Sequence, residues 1–524
     1  MTAALAAAAI LLLATRTWGL GVSYDSVVYV QASRDLSSID LPQPRDTGGE
    51  PLYWWAPGYP VALKLFGGTY SGARILNALL LLVGALLVGA VTWRAVCARA
   101  GVTAGALYAF SPAIFTAHLD LLAEPLSLVL TTAALALIAS RRPTLAGVLA
   151  AAVSLTRYAG LPLFAAGAIV LRGRERVRFL AIGLPLYLAW LARNQIVAGE
   201  TTGRSARWHP PEWETLENAF FVVIEFLVTP GELTSLTPAL AHPGGLAQIL
   251  AAAALAVALL RADRRNPPPF VEVGLLYAVL YAASVLVSTS LLDAAVPLDE
   301  RLLVPLGPPL VVAIAWLVRT QPAVAVLLTC LFALATLQQA RTVSLYGRDY
   351  SGRIWSVARV DAASLPSGQL YSNWPGAIAY FTGRSPRITD RMVPGTIRFQ
   401  LRSPPPKKLP HRVMATGSSN VLAYDVAMRS AHDLLTSYGC RPCRGASSAY
   451  GSCSWSPYAL SEDASTICRT VGLCRQASRS AHVPATFVSN VEMGLRFAIV
   501  TIVWAARWNT VSTSYSARIR SSSD

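Results

Sequence analysis

The chain has 524 residues, of which 54% are hydrophobic and only 14% are charged, and its mean hydropathy is +0.46. Soluble domains carry about 25% charged residues, so this composition excludes an ordinary soluble protein and indicates a polytopic membrane protein. The formal net charge of +16 does not indicate nucleic-acid binding. Much of it comes from arginines in short segments between apolar runs, where arginine sets membrane orientation and meets anionic lipid headgroups.

Apolar runs, taken in chain order, predict eleven membrane spans. The first run, AALAAAAILLLA, has neither a basic segment before it nor a convincing cleavage site, so we interpret it as a retained helix extended by TRTWGL. We expect residues 215–229, which contain Glu217 and Glu225, to form a membrane-surface or re-entrant helix instead of a span. The other ten predicted spans are residues 73–93, 101–117, 121–139, 143–158, 159–171, 177–192, 246–260, 270–290, 302–318 and 322–340.

The charges of the connecting loops predict the orientation. If Met1 is cytoplasmic, basic inner loops alternate with acidic outer loops, which is the positive-inside pattern. Counting residues 215–229 as a span would break the alternation. We therefore predict a multi-pass protein of the cell membrane with a cytoplasmic N-terminus. The inner-loop arginines in this scheme are Arg94, Arg99, Arg141, Arg142, Arg172, Arg174, Arg176, Arg178, Arg261, Arg264, Arg265 and Arg319.

The sequence predicts three regions. Residues 1–340 form the membrane domain, with an outer loop at 21–70 whose aromatic and proline residues favour a course along the membrane surface. Residues 341–429 form a small extracytoplasmic α/β domain, because QLYSNWPGAIAYFTGR is typical of a strand, a turn and a short helix, and SNVLAYDV of another strand. Residues 430–524 are a Ser-, Arg- and Cys-rich tail, atypical or disordered, which is either a frameshifted end or a lineage-specific extension.

Acidic residues at the predicted outer ends of spans are the first functional candidates. Asp25 opens a predicted helix at 26–36, where it either caps the helix or serves as a carboxylate at the membrane edge. Asp120 and Glu124 are four residues apart, so a continuous helix would show both on one face. Pro125 favours the alternative that a helix begins there with Glu124 as its cap. Acids at such positions are functional candidates because burying them is costly.

Arginines on the same predicted face are the second group of candidates. Arg157 and Arg193, the latter followed by Asn194, end two spans, and Arg301 follows two acids. Each arginine either snorkels or forms an ion pair, or else it captures a lipid-linked phosphate, which the planar guanidinium suits well. No zinc signature or Gly-rich phosphate loop precedes residue 430, so we predict no metal site; the CxxC at Cys440 and Cys443 is more typical of a disulfide.

These motifs together resemble the GT-C membrane glycosyltransferases of the dolichyl-phosphate-mannose protein mannosyltransferase and aminoarabinose transferase type, including bacterial relatives. The resemblance covers residues 1 to about 425, and it departs from the family at Ser26, where many relatives have a second acid, and at Ala123, where the family has Ser. It rests on an acid after the first span and on the segments WWAPGYPVAL, LAEPLSLVL, ARNQIVAG, ERLLVPLGPPLVV and YSNWPGAIAYFTGR.

The resemblance implies an α-helical polytopic membrane protein of about eleven transmembrane helices with a GT-C-like fold. It implies transfer of a sugar from a polyprenyl-phosphate donor to a glycan, lipid or protein acceptor at the outer membrane face. Asp25 would be the base, and Asp120, Glu124, Arg157, Arg193, Asn194 and Arg301 would bind substrate. The alternatives are a transporter, which would place its acids nearer the membrane midplane, and a catalytically silent scaffold of the same fold.

Overall fold

The computed structural model describes residues 1–36, 52–204, 207–228, 253, 256, 260, 266–292, 298–353, 370–372, 375–383, 387–388 and 397–398. Most of the predicted span 246–260, the strand expected in SNVLAYDV and the predicted tail 430–524 lie outside these residues.

The described part of the chain is mostly helical. It includes two short 3-10 helices, Tyr158–Gly160 and Val304–Leu306. The helices are α1 (Thr2–Ala14), α2 (Tyr24–Asp35), α3 (Gly58–Leu65), α4 (Tyr70–Ala95), α5 (Ala98–Phe110), α6 (Pro112–Leu119), α7 (Glu124–Ala139), α8 (Pro143–Thr156), α9 (Leu161–Val170), α10 (Gly173–Ala198), α11 (Trp213–Val228), α12 (Pro269–Leu291), α13 (Glu300–Leu303), α14 (Gly307–Leu317), α15 (Pro322–Tyr346) and α16 (Pro375–Thr382).

Five helical segments in the described residues are long and apolar enough to cross a membrane: α4, α10, α12, the continuous segment Glu300–Leu317, and α15. The pair α5 and α6 passes the same test but bends by 47° between its halves, so it makes a sixth span if it crosses as one. Four shorter apolar helices, α1, α7, α8 and Tyr158–Val170, coincide with other predicted spans. The chain is a multi-pass membrane protein.

The first helix is shorter than the sequence predicts. α1 ends at Ala14, and residues 15–18 form turns, so the helix does not continue into TRTWGL. The Thr15 hydroxyl donates to the Leu11 carbonyl at 2.7 Å and accepts from Arg74 Nε at 2.9 Å. Gly19 then has a φ of 80°, a left-handed conformation that suits glycine and ends regular helix. These contacts direct the chain away from the helix axis and toward α2.

Close backbone packing joins α4 and α5. A Cβ atom added at Gly101 would lie 2.7 Å from the Gly89 carbonyl oxygen, and one added at Gly105 would lie 3.0 Å from that of Ala85. Glycine at these positions lets the helices approach as small residues do between membrane helices. The bend after α5 has a local cause, because Ser111 caps α6 and Pro112 occupies its first turn.

A buried amide fixes the gap between α6 and α7. Asn77, on α4, is fully buried, and its Nδ2 donates to the carbonyls of His118 and Asp120 at 3.0 and 2.8 Å. Tyr59 donates to Asn77 Oδ1 at 3.4 Å. Buried polar groups in a membrane protein need such partners, so Asn77 satisfies carbonyls that the ended helix leaves open.

The chain divides into two compact units. The sixteen helices of the described residues belong to the first unit, in which α4 packs on α1, α5 and α7, α8 packs on α7 and α10, and α16 packs on α2. Three short strands, β1 (Leu370–Ser372), β2 (Arg387–Ile388) and β3 (Ile397–Arg398), make a sheet in the order β2-β1-β3. In the second unit β1 pairs in parallel with β3, with Leu370 opposite Ile397. β1 and α16 fall within QLYSNWPGAIAYFTGR.

Candidate functional site

Charged side chains from separate connections meet at one end of the helical unit, which we call the charged end. They come from the segment after α1, the connection between α6 and α7, the residue after α8, the start of α13 and the segment after α15. The residues that meet there are Asp25, Asp120, Glu124, Arg157, Arg301 and Arg348.

Glu124 is the centre of this end. It is the first residue of α7 and only 2% of its side chain is exposed. Its Oε1 accepts from Arg301 Nε at 2.7 Å and lies 3.1 Å from Arg157 Nη1. Its Oε2 is buried and has no hydrogen-bond partner among the described residues. A carboxylate so deeply buried needs opposite charge beside it, and two arginines supply that charge.

Asp25 lies in the first turn of α2 and contacts the same arginine. Its Oδ1 accepts from Trp55 Nε1 at 3.0 Å, and its Oδ2 accepts from Arg301 Nη2. About a quarter of the side chain is exposed, 23%, so the carboxylate is reachable from outside the protein. A carboxylate oxygen can accept more than one hydrogen bond, so Asp25 can take a further donor.

Arg301 connects the two carboxylates, and 41% of its side chain is exposed. Its Nε and Nη2 atoms are used by Glu124 and Asp25, whereas its Nη1 makes no hydrogen bond to a described residue. Arg157 is more buried, at 14%, and its Nη1 also reaches the Arg301 carbonyl at 3.5 Å. The two guanidinium groups thus share one buried carboxylate, and Asp25 balances the second positive charge.

A second ion pair at the charged end uses both oxygens of its carboxylate. Arg348 donates through Nε and Nη2 to both carboxylate oxygens of Asp120, at 2.7 and 2.9 Å. Gly21 pairs with the backbone on either side of Asp120, and Val22 accepts from Tyr350 at 3.0 Å. A Cβ atom at Gly21 would lie 2.2 Å from Asp120 Oδ1, so only glycine fits there. We call this set of contacts the latch, because it fixes the segment leading to Asp25.

The pKa values of Asp349 and Tyr29 are raised by their surroundings. Neighbouring residues remove water from the carboxyl group of Asp349, beside the latch, and this loss of water together with the negative charge of Asp120 raises its pKa to about 6. Part of the residue's surface is nevertheless exposed. Burial, with the carboxylates of Asp25 and Glu124, raises the pKa of Tyr29 on α2. Tyr29 therefore stays protonated and neutral beside the carboxylates.

Arg193 and Asn194 lie in a separate network near the end of α10. Arg193 Nη1 donates to the Leu52 carbonyl at 2.7 Å, and its guanidinium lies 4.8 Å from the Trp190 ring centroid. Its Nη2 is buried without a hydrogen-bond partner among the described residues. Asn194 donates to the Tyr158 hydroxyl at 3.2 Å, and that hydroxyl donates to the Tyr53 carbonyl at 2.8 Å. This network supports the segment that carries Trp55.

Two helix-capping interpretations are wrong. The N-cap of α2 is Ser23, whose backbone N–H donates to Ser26 Oγ at 2.9 Å, and Asp25 lies inside the helix. The N-cap of α7 is Ala123, so Glu124 does not cap that helix. In α2 the Ser26 hydroxyl makes the capping contact, and the carboxylates of Asp25 and Glu124 are both used in ion pairs.

The expectation that Asp120 and Glu124 share the face of one helix is also wrong. α6 ends at Leu119, Asp120 has an extended backbone, and α7 begins at Glu124. Asp120 pairs with Arg348, whereas Glu124 pairs with Arg157 and Arg301. The backbone pairing with Gly21 holds Asp120 in its extended conformation.

Three residues of the charged end and of the Arg193 network could not be predicted from the sequence. Arg348 lies just beyond the last predicted span, where an arginine followed by two polar residues gives no specific signal. Trp55 carries a signal only as a membrane-belt aromatic, and Tyr158 carries none. Trp55 contacts Asp25, 30 positions away, and Arg348 contacts Asp120, 228 positions away. Tyr158 donates to the backbone carbonyl of Tyr53, and short-range patterns do not encode such contacts.

No group of three or more His, Cys, Asp or Glu side chains placed to hold a metal ion occurs among the described residues. The charged end instead combines a reachable carboxylate with two arginines around a buried one. Such a set can accept a proton at Asp25 and stabilise an anion at the arginines.

No protein-family model and no curated protein matches the chain. Among solved structures, ArnT from Cupriavidus metallidurans bound to undecaprenyl phosphate matches with a TM-score of 0.51 at 16% identity, over 73% of this chain and 84% of ArnT. The oligosaccharyltransferase of Archaeoglobus fulgidus in its apo form gives a TM-score of 0.43 at 13% identity, over 74% of this chain and 64% of that protein. The first of these likenesses shows that this multi-pass membrane protein has a fold similar to that of ArnT.

Proposed function

We propose that the chain is a GT-C-type glycosyltransferase that moves a sugar from a polyprenyl-phosphate donor to an acceptor at the outer face of the membrane. The observation that carries the proposal is the meeting of Asp25, Arg157 and Arg301 around the buried Glu124 at one end of the helical unit. The fold similarity to ArnT, a protein solved with undecaprenyl phosphate bound, supports the same donor class.

In this proposal Asp25 is the general base. The acceptor hydroxyl attacks the anomeric carbon of the sugar, a new carbon–oxygen bond forms, and the bond from that carbon to the phosphate oxygen breaks. The hydroxyl proton passes to Asp25, and the polyprenyl phosphate leaves with the bonding electrons. Trp55 and Arg301 hold the carboxylate from two sides, which fixes its direction toward the acceptor.

The leaving phosphate gains negative charge, and Arg301 and Arg157 are proposed to stabilise it. Preorganised donors stabilise developing charge better than water, because they need not reorient during the reaction. Arg301 Nη1 is not used by a described residue, so it is available to the phosphate while Nε and Nη2 hold Glu124 and Asp25. Glu124 therefore serves as the fixed counter-charge that holds both guanidinium groups in place.

Arg193 and Asn194 are proposed as a second contact region for the donor. The buried Nη2 of Arg193 lacks a partner among the described residues, and an unpaired guanidinium nitrogen favours an incoming anionic oxygen. Asp120 is proposed to have a positioning role. Both of its oxygens are held by Arg348, so it positions the segment before Asp25 and does not contact substrate.

The proposal also covers the membrane orientation, the domains and the type of sugar transferred. The charged end faces outside and Met1 is cytoplasmic, in agreement with the arginine distribution. Residues 341–429 form an extracytoplasmic domain and residues 430–524 a separate tail. The reaction is a hexosyl or pentosyl transfer of the mannosyltransferase-like kind, and the acceptor is a glycan, a lipid or a protein.

A direct test uses the purified full-length chain in lipid nanodiscs with a set of polyprenyl-phosphate sugars. The proposal predicts release of free polyprenyl phosphate that depends on added acceptor, together with an acceptor whose mass increases by one sugar residue. A transporter would instead move substrate across vesicles without covalent change. Transport of intact substrate with no release of polyprenyl phosphate would overturn the proposal.

A further inference from the structure

A cavity of about 600 Å³ lies at the other end of the helical unit, which we call the opposite end. Three connections line it: the one between α4 and α5, the residues before α12, and the one between α14 and α15. α5–α6, α14 and α15 each extend between this end and the charged end, so the cavity lies a full helix length from the residues of the proposed function.

The lining of this cavity is positively charged. Arg99 and Arg319 belong to it, and no described lining residue is acidic. Arg99 is exposed and has no carboxylate partner among the described residues. Arg319 lies with its guanidinium 5.1 Å from the Trp316 ring centroid and donates through Nη1 to the Trp316 carbonyl at 2.7 Å. That contact holds the Arg319 charge in place against the cavity wall.

Backbone groups add to this positive field. α5 begins at the cavity, and the side chain of its N-cap, Cys97, makes no capping hydrogen bond. The N–H groups at the start of a helix favour anions, and this helix and two arginines act on the same space. The cavity therefore suits a phosphate-type anion.

The position of the cavity identifies the source of that anion. It lies where candidate membrane spans end, and the exposed side chain of Trp93, near the end of α4, is typical of the headgroup layer. A soluble phosphate would have to reach this layer, whereas phospholipids fill it. We propose that the cavity binds the phosphodiester headgroup of an anionic phospholipid between Arg99 and Arg319.

Cys97 provides a reporter, because it lines the cavity and is exposed. The experiment uses the full chain with its other cysteines replaced by serine, in nanodiscs of phosphatidylcholine alone or mixed with phosphatidylglycerol. The rate of Cys97 alkylation by an uncharged, water-soluble maleimide is measured. The matched control carries Cys97→Ser and Ser140→Cys, since Ser140 is exposed after α7 at the same end but does not line the cavity.

We expect phosphatidylglycerol to slow alkylation of Cys97 several-fold and to leave Ser140→Cys unchanged. An arginine near an anionic lipid surface contributes about 1 kcal/mol, so Arg99→Gln should weaken the protecting lipid about fivefold, and the double change with Arg319→Gln should abolish protection. Native mass spectrometry of the unlabelled wild-type chain should show one retained phosphatidylglycerol that the double variant loses.

Three outcomes would overturn the proposal. Equal slowing at Cys97 and at Ser140→Cys would show a general effect of membrane charge. Unchanged protection in the double arginine variant would show that the arginines do not bind the headgroup. Protection by inorganic phosphate in nanodiscs of phosphatidylcholine, without a further effect of phosphatidylglycerol, would assign the site to a soluble phosphate compound. None of these outcomes depends on glycosyl transfer, so the two proposals fail separately.

Discussion

Two ion-paired groups at the charged end differ in how fully they use their hydrogen bonds. In the latch, Arg348 gives two donors to the two oxygens of Asp120. Around Glu124, two arginines share one oxygen, the other oxygen has no partner among the described residues, and Arg301 also holds Asp25. An ion pair whose hydrogen-bonding atoms are all used fixes the backbone near it. The group around Glu124, which we call the open group, has unused hydrogen-bonding atoms and can exchange partners with a substrate. The following predictions test that difference.

The largest effect is expected for Glu124→Gln. Removing one member of a buried ion pair typically costs about 3–5 kcal/mol, and here the loss leaves two arginine charges facing each other. We expect a markedly lower unfolding temperature in detergent and no measurable sugar transfer. Glu175→Gln is the matched control, because Glu175 pairs with Arg141 on the surface, where a pair contributes about 0–1 kcal/mol. Equal unfolding temperatures for the two variants would contradict the central part given to Glu124.

The next effect concerns the arginines of the open group. Arg157→Gln and Arg301→Gln should each raise the donor concentration needed for half-saturation about ten- to a hundredfold, since a charge-assisted contact typically contributes about 1.5–3 kcal/mol. Acceptor saturation should change little. The measurement is steady-state kinetics with each substrate varied in turn. A change confined to the acceptor would assign these arginines to the other substrate.

Opening the latch should cost stability more than donor binding. Asp120→Asn and Arg348→Gln should each destabilise the protein by about 1–3 kcal/mol, because each removes one charge of a partly buried ion pair. The double variant should be less destabilised than the two single effects added together, as expected for residues in direct contact. Donor half-saturation should remain near that of the wild type. An additive double variant would show that the pair does not act as a unit.

The smallest effect concerns pH. The pKa of Asp349 is raised from 3.8 to about 6 by crowding and by Asp120, so the folded state binds this proton more tightly than the unfolded state. Its contribution to stability is therefore fully present below about pH 4 and is lost as the pH rises through about 6. Because Asp349 is partly solvent-exposed, we expect a shallow slope. Asp349→Asn should flatten that slope in urea unfolding series at several pH values; an unchanged slope would contradict the assignment.

The sequence is sufficient to predict much of the helical bundle and the side of the bundle on which the candidate residues lie. Apolar length and alternating loop charge are local properties, and they place Asp25, Glu124, Arg157 and Arg301 at ends of helices on one face. Their pairing is not local. Asp25 and Arg301 are separated by 276 positions, and no short pattern specifies that contact or the bond from Trp55.

The different ion-pair partners of Asp120 and Glu124 could not be predicted for a related reason. A spacing of four residues favours one helix face, but the backbone breaks between the two because Gly21 pairs with Asp120 and Asn77 binds its carbonyl. Both partners come from other parts of the chain. The spacing rule applies only within a continuous helix, and tertiary contacts end this helix.

The most direct test of the account is the turnover of purified Asp25→Asn beside Asp35→Asn. Asp35 is on the same helix and accepts from Gln31 at 3.1 Å, away from the charged end. Asparagine cannot take the acceptor proton, so the account predicts that Asp25→Asn lowers kcat by about a hundredfold or more, while folding and donor half-saturation are retained. Asp35→Asn should be near normal. A kcat close to that of the wild type in Asp25→Asn would contradict the claim that this carboxylate is the base.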